Sequence, residues 1–264
     1  MPSLIIRPET PDDYRAAELM VQRAFWNIHG PGCNEHALLR LIRESEDYLP
    51  QLSRVAELDG KIVGAIYYTK AKLVGEQSSL DIVCFGPLAV EPTAQGKGIG
   101  RRLLEETLPL ARQAGYPGVC ILGEPEYYPR LGFRSCRDYG ITDPEGNQYD
   151  ALMVYPLDES AELHGKFFES PLFAGCDDPS LLAKMEAECP AYPKIKLQEG
   201  FLQIYDCRFA TVVRAEGEKL TLAYWELTLD AAAALGVHPK TGDTVLFRPG
   251  KPCLVTRVCR NLLL

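Results

Sequence analysis

The chain has 264 residues, which at roughly 150 residues per domain corresponds to one large domain or two modest ones. Hydrophobic types at 46% and charged types at 24% supply a real core and exclude a disordered or fibrous chain. With 28 basic against 36 acidic side chains the net charge is −8, which argues against a surface built to coat nucleic acid. Residues 1–176 hold 17 basic and 25 acidic side chains and so the whole −8, while residues 177–264 hold 11 of each. The acidic part favours a cationic small molecule or peptide as partner, and reads equally as a solvated acidic surface.

The N-terminus, Met1-Pro2-Ser3-Leu4-Ile5-Ile6-Arg7, has no basic stretch followed by an apolar run, and no apolar run reaches the roughly 18 residues of a membrane helix. Leu4-Ile5-Ile6 reads as a short strand. Pro11 to Trp26 reads as a helix with Thr10 as N-cap, and Asn34 caps a second helix through Leu38, Leu39, Leu41 and Ile42. Asp59-Gly60 is a hairpin signal between the strands Ser53–Leu58 and Lys61–Leu73. On the second of these, Tyr67 and Tyr68 alternate, so one is expected to face the substrate cleft. Leu80 to Val90 reads as a buried strand, and Gly98 to Ala114 as a helix with a kink at Pro109. Then come strand Val119–Leu122, a short helix Tyr127–Leu131, a strand from Phe133 and a strand Ala151–Tyr155. His29 and His36, near the first helix pair, read as loop or surface histidines.

Composition shifts at Gly175-Cys176-Asp177-Asp178-Pro179, so two domains are expected, 1–175 and 176–264. After a helix Ser180–Glu188, the second holds strand-like runs at Phe201–Tyr205, Phe209–Arg214, Lys219–Tyr224, Thr244–Phe247 and Leu254–Val258. The fold class is α/β (α+β): a mixed, mostly antiparallel sheet flanked by helices, plus a small β-rich C-terminal domain. The nine cysteines are odd in number and form no CxxC pair; Cys84 and Cys120 lie in apolar runs. They read as reduced core thiols of a cytoplasmic protein, without a disulfide framework or metal site.

The chemistry concentrates in Gly86-Pro87-Leu88-Ala89-Val90-Glu91-Pro92-Thr93-Ala94-Gln95-Gly96-Lys97-Gly98-Ile99-Gly100-Arg101-Arg102-Leu103-Leu104. A buried strand enters a glycine-dense loop that opens directly into a helix. Glycines let the backbone approach a ligand closely, and the positive end of the helix dipole lies at the same place. This is an anion site suited to a diphosphate. A P-loop would need Ser or Thr after Lys97, where Gly98 stands. A dinucleotide fingerprint from Gly96 would place its third glycine at Arg101, and retains only Glu124 as a ribose-binding acid. A Gln-x-x-Gly-x-Gly loop fits as written, at Gln95, Gly98 and Gly100.

Residues 86–104, followed by Tyr128-Pro129-Arg130-Leu131-Gly132-Phe133, resemble two motifs of the GNAT superfamily of acyl-CoA-dependent N-acetyltransferases, and the resemblance covers about residues 3–157. It implies acetyl-CoA as cosubstrate and a small-molecule or peptide amine as acceptor, with direct transfer and no metal. In that picture Leu88, Ala89 and Val90 bind the pantetheine arm like an added strand. The amides of Gln95, Gly96, Lys97, Gly98, Ile99, Gly100 and Arg101 form the diphosphate loop. The Leu88 N–H polarises the thioester carbonyl, and Tyr128 protonates the departing thiolate. An alkylammonium must lose a proton before it can attack; Glu124 is the candidate base, with Asp81 and Glu57 as rivals. Where many members of that superfamily carry an Asn, this chain has Gly123-Glu124.

Leu227-Thr228-Leu229-Asp230, a short helix Ala231–Ala234, a Leu235-Gly236 turn and Gly242-Asp243-Thr244-Val245 resemble AbrB-like swapped-hairpin or double-psi barrel modules. That resemblance implies a structural or homodimerising add-on, and the even charge gives no basic face for DNA. Two readings from other classes stand beside the enzyme: a non-catalytic acyl-CoA sensor whose C-terminal module reports the bound state, and a structural dimer that kept only the fold.

Overall fold

In the computed structural model, β1 (Leu4–Arg7) pairs antiparallel with β2 (Arg54–Leu58), and β2 with β3 (Lys61–Val74). The structure describes residues 3–192, 194, 208–217, 219–224, 227–234, 237–248 and 253–259. Asp59 and Gly60 both adopt positive φ, 50° and 77°, as the tight β2–β3 hairpin requires. β4 (Ser79–Val90) lies antiparallel beside β3, and β5 (Gly118–Leu122) lies parallel to β4. β6 (Arg134–Ser135), β7 (Ile141–Thr142), β8 (Leu152–Pro156) and β9 (Gly165–Phe168) complete a nine-stranded sheet in the order β1-β2-β3-β4-β5-β8-β6, with β9 bridging β3 and β7. Only β4–β5 and β7–β9 are parallel. The sheet is therefore mixed and mostly antiparallel, as the sequence predicts.

Helices cover both faces. α1 (Tyr14–Phe25) buries Ala17, Met20, Val21 and Ala24; α2 (Glu35–Arg43) buries Ala37, Leu38, Leu39 and Ile42. α3 (Ile99–Gln113) lays Ile99, Leu103, Leu104, Leu108 and Ala111 onto β2, β3 and β4. Gly64 of β3 permits that approach, because a Cβ there would stand 3.0 Å from Ile99 Cγ2. α3 continues past Pro109 to Gln113. Tyr67 and Tyr68 report the two faces of β3, and both are fully buried. Tyr68 Oη meets Thr107 of α3 at 2.9 Å, whereas the Tyr67 hydroxyl donates to Glu9. Neither tyrosine opens onto a cleft, contrary to the sequence expectation. Arg43 of α2 joins the Tyr67 side, bonding Glu9 at 2.7 Å and Glu18 at 3.0 Å and stacking 4.0 Å over the Tyr14 ring.

Two compact units emerge, one of residues 1–24, 34–94 and 98–189, the other of 25–33, 95–97 and 190–264. The composition shift at 175–179 thus falls inside the first unit. There α4 (Leu172–Gly175) precedes α5 (Pro179–Glu188), whose N-cap Asp178 accepts from Ser180 N and Leu181 N at 2.9 Å. Met185 of α5 packs on Ala37, and Glu188 pairs with Arg40 at 2.7 Å.

The second unit contains a closed barrel of β10 (Arg208–Glu216), β11 (Lys219–Tyr224), β12 (Leu227–Ala233), β13 (Thr244–Arg248) and β14 (Cys253–Cys259), in the order β10-β11-β12-β14-β13. Val212, Leu222, Val245, Phe247 and Val255 fill it. The expected helix Ala231–Ala234 is instead the end of β12: Ala231 pairs with Leu220 and Cys253, and Ala232 with Lys219 and Leu254. Helix propensity loses there to a ladder on both sides. The expected strand Phe201–Tyr205 and the Leu235-Gly236 turn lie outside the described residues. With its central helix replaced by strand, the AbrB-like cadence is not supported beyond the five-stranded barrel.

His36 is fully buried in α2, not at a surface, and burial holds its imidazole down at about 4 against an ordinary 6.5. Between those values the folded chain binds fewer protons than the unfolded one, so stability falls as pH drops through that window, by roughly 3 kcal/mol in all. Glu35, raised to about 7 by burial, titrates in the opposite sense. Urea melts at pH 4 and pH 7 should therefore show a smaller acid loss for His36→Gln than for the unaltered chain; equal losses would contradict the assignment.

Candidate active site

β4 pairs with β3 along its length, but its ladder with β5 is recorded at one pair, Val83↔Val119. Beyond Val83 the β5-side edge of β4 has no strand partner among the described residues. Two residues of β4, Gly86 and Pro87, oppose the single Tyr67 of β3, a bulge that bends β4 where it leaves β5. Leu88 and Val90 are half-buried and Ala89 is buried, all three on this open stretch. Their backbone is thus placed to receive an extended ligand as an added strand.

A turn at Pro92–Ala94 follows, and Gly98 at φ 79° is the N-cap of α3. No side chain caps this helix, so the amides of Ile99, Gly100 and Arg101 lie at an undecorated positive end. A Cβ on Gly96 or Gly98 would meet nothing within 4 Å, and both take positive φ. Gln95 is half-buried, Lys97 is exposed, and both belong with Gly96 to the second unit. Tyr127 leans over the first turn of α3, its hydroxyl 2.8 Å from where a Gly100 Cβ would stand. Arg101, Leu104, Leu108, Arg112, Arg130 and Tyr155 line a groove along α3.

Tyr128 opens the short turn Tyr128–Leu131, and Gly132 ends that turn at φ 95°. Its ring packs against Phe85, Phe133 and Tyr127 at centroid distances of 5.9, 5.3 and 5.1 Å. Burial, then the neighbouring Tyr127, Tyr68, Cys84 and Glu124, push its phenol well above the usual range, so the hydroxyl stays protonated. Glu124 sits at the foot of that turn. Its carbonyl accepts from the Tyr127 and Tyr128 amides at 3.1 and 3.2 Å, and its carboxylate accepts from Glu126 N at 3.4 Å. The rivals are elsewhere: Asp81 is exposed beside Lys72, and Glu57 pairs with Arg7 at 2.8 Å.

Gly123 acquires a reason that sequence reading missed. A Cβ there would lie 2.4 Å from Tyr128 Cε2 and 2.6 Å from Cδ2, so the tyrosine ring lies on the glycine backbone. Gly123→Ala should displace Tyr128, cost about 1–3 kcal/mol of stability and slow turnover about tenfold or more. Paired denaturation and steady-state rates check this, and an unchanged rate would dissociate the ring position from catalysis. A glycine closing a strand just before a Tyr-Tyr pair was the available signal. Among the described residues no group of His, Cys, Asp or Glu could hold a metal ion. Seven cysteines are free thiols there; Cys84 and Cys120 are buried, as expected of core packing.

A strand that leaves its parallel neighbour, a glycine-opened helix without a side-chain cap and a half-buried tyrosine beyond the next strand lie together in a mixed α/β fold of the GNAT type. The family described as Acetyltransferase (GNAT) domain matches residues 50–135, which lie within the span of the sheet and α3. The chain is 40% identical over 111 residues to the uncharacterized N-acetyltransferase YjhQ of Escherichia coli K12, covering 42% of this chain and 61% of that relative's length. It is 28% identical over 160 residues to the uncharacterized N-acetyltransferase YhbS of the same organism, covering 60% and 90%. The crystal structure of E. coli YhbS in complex with CoA superposes with TM-score 0.58 at 26% identity, over 66% of this chain and 93% of that one. A GNAT family acetyltransferase from Brucella melitensis in complex with acetyl-CoA gives TM-score 0.52 at 25% identity, over 65% and 98%.

Proposed function

We propose that the chain transfers the acetyl group of acetyl-CoA to a primary amine by direct attack. The observation that carries this reading is the uncapped start of α3 at the end of a strand whose open edge faces β5. Its similarity to proteins named N-acetyltransferases, and to structures holding CoA or acetyl-CoA, supports the same reading. The amides from Gly98 to Arg101 grip the diphosphate. The backbone of Leu88, Ala89 and Val90 pairs with the pantetheine arm, and the Leu88 N–H polarises the thioester carbonyl. Tyr128, protonated in its aromatic pocket, donates to the departing thiolate. Glu124 holds the turn that presents Tyr128.

No helix of the described residues is long and apolar enough to cross a membrane, and we place the protein in the cytoplasm. For the barrel we infer a structural or dimerising role. Thiol release from acetyl-CoA over a panel of primary amines tests the transferase reading. Amine-dependent release is expected; CoA binding without release from any amine would favour an acyl-CoA sensor instead.

A further inference from the structure

Glu169 follows β9, whose ladder sets Phe168 opposite Lys72 and Phe167 opposite Leu73. Paired residues share a face and alternate residues return to it, so Glu169 lies on the face of Leu73, Ala71 and Thr69. Thr69 is opposite Cys84 of β4. This is the face on which Tyr67 meets Arg43; Tyr68, Phe85 and Tyr128 occupy the other. The segment is fixed on both sides of Glu169. Ser170 Oγ donates to Asp47 Oδ2 at 2.7 Å, and the Phe173 ring lies 2.7 Å from where a Gly86 Cβ would stand.

Glu169 is therefore held over β4 beside Cys84 and Gly86, where the strand has left β5. Its charge reaches the thiols of Cys84 and Cys176 and the hydroxyl of Tyr149. The carboxylate is half-buried and, among the described residues, takes part in no hydrogen bond or ion pair. A second polar group on the same face is also unsatisfied: Thr69 Oγ1 is fully buried without a hydrogen-bond partner there. Groups left this way in a dry place cost free energy that a structural role would not explain.

We infer that Glu169 is the carboxylate that receives the proton of the acceptor ammonium. This rests on the transferase reading above. A carboxylate without an internal cation attracts an alkylammonium, and it faces the sheet opening from the side opposite Tyr128. Burial raises its carboxyl above the usual range, toward the pH at which it must take up and release a proton. The ammonium gives one proton to Glu169, which passes it to solvent. The nitrogen lone pair then forms the N–C bond, the C–S bond breaks with its electron pair on sulfur, and Tyr128 protonates that sulfur. The second nitrogen proton restores the Tyr128 phenol, so one proton is released overall.

The test compares Glu169→Gln with the unaltered protein, using an alkylamine from the panel and its less basic hydrazine analogue. We expect kcat for the alkylamine to fall about 100-fold or more, a smaller loss for the hydrazine, and CoA affinity within twofold. Glu169→Asp, which keeps the charge on a shorter arm, should recover part of the rate. Equal turnover by Glu169→Gln, equal losses for both acceptors, or Glu169→Asp no faster than Glu169→Gln would overturn the role of Glu169 while leaving the transferase reading intact. If the unaltered protein binds CoA yet acetylates no amine, the transferase reading fails and this role with it.

Discussion

Tyr128→Phe should lower kcat about 100-fold or more while CoA affinity stays within about twofold. The substitution removes one oxygen and leaves the ring in place among Phe85, Phe133 and Tyr127. Packing and the shape of the opening are retained, so the effect isolates the proton. The environment of the phenol keeps it neutral at working pH, with burial as the largest cause. A neutral donor is what a departing thiolate needs, because a thiolate leaves faster when its charge is quenched as it forms. Stopped-flow thiol release and CoA titration calorimetry on the same preparation separate the two quantities. Equal rates for the two proteins would assign Tyr128 to the core alone, and a joint loss of rate and CoA affinity would assign it to binding.

Gly98→Asp should weaken CoA by about 10- to 100-fold, the worth of one charge-assisted hydrogen bond of roughly 1.5–3 kcal/mol. Gly98 sits at φ 79°, where most side chains are strained but Asp and Asn are the best tolerated. A Cβ there points into open space, so the variant has room to fold. Its carboxylate would cap the amides that now lack a side-chain partner, and would repel the diphosphate. The same cap should raise the melting temperature or leave it unchanged. Loss of CoA affinity without loss of stability is therefore the expected combination, read by calorimetry and thermal melts. Undiminished CoA affinity would place the diphosphate elsewhere.

Most of this fold could be read along the chain because its signals are local. Asp59-Gly60 specifies the hairpin through two positive φ values, Asn34 and Gly98 stand at the starts of α2 and α3, and the apolar stripe of α3 is continuous. Ala231–Ala233 misled because alanine favours a helix in isolation, whereas β11 and β14 flank these residues with backbone partners. β7 and β9 are only two and four residues long, too short to show an alternation, so the pairing of β7 with β9 and of β9 with β3 is a tertiary outcome. The candidate site divides in the same way. Gly96, Gly98, Gly100 and Tyr128 announce themselves by spacing. The contact between Gly123 and Tyr128, and the arrival of Glu169 beside Cys84 from far along the sequence, depend on how the sheet closes. His36 was misplaced because a polar residue on a helix gives no local sign of the face it occupies.

The most direct measurement follows backbone amide resonances of Ile99, Gly100 and Arg101 during titration with CoA and, separately, with pantetheine, which lacks the diphosphate. The account predicts large saturable shifts at all three amides with CoA and none with pantetheine. Amides that stay unmoved by CoA, or that respond equally to pantetheine, would contradict it.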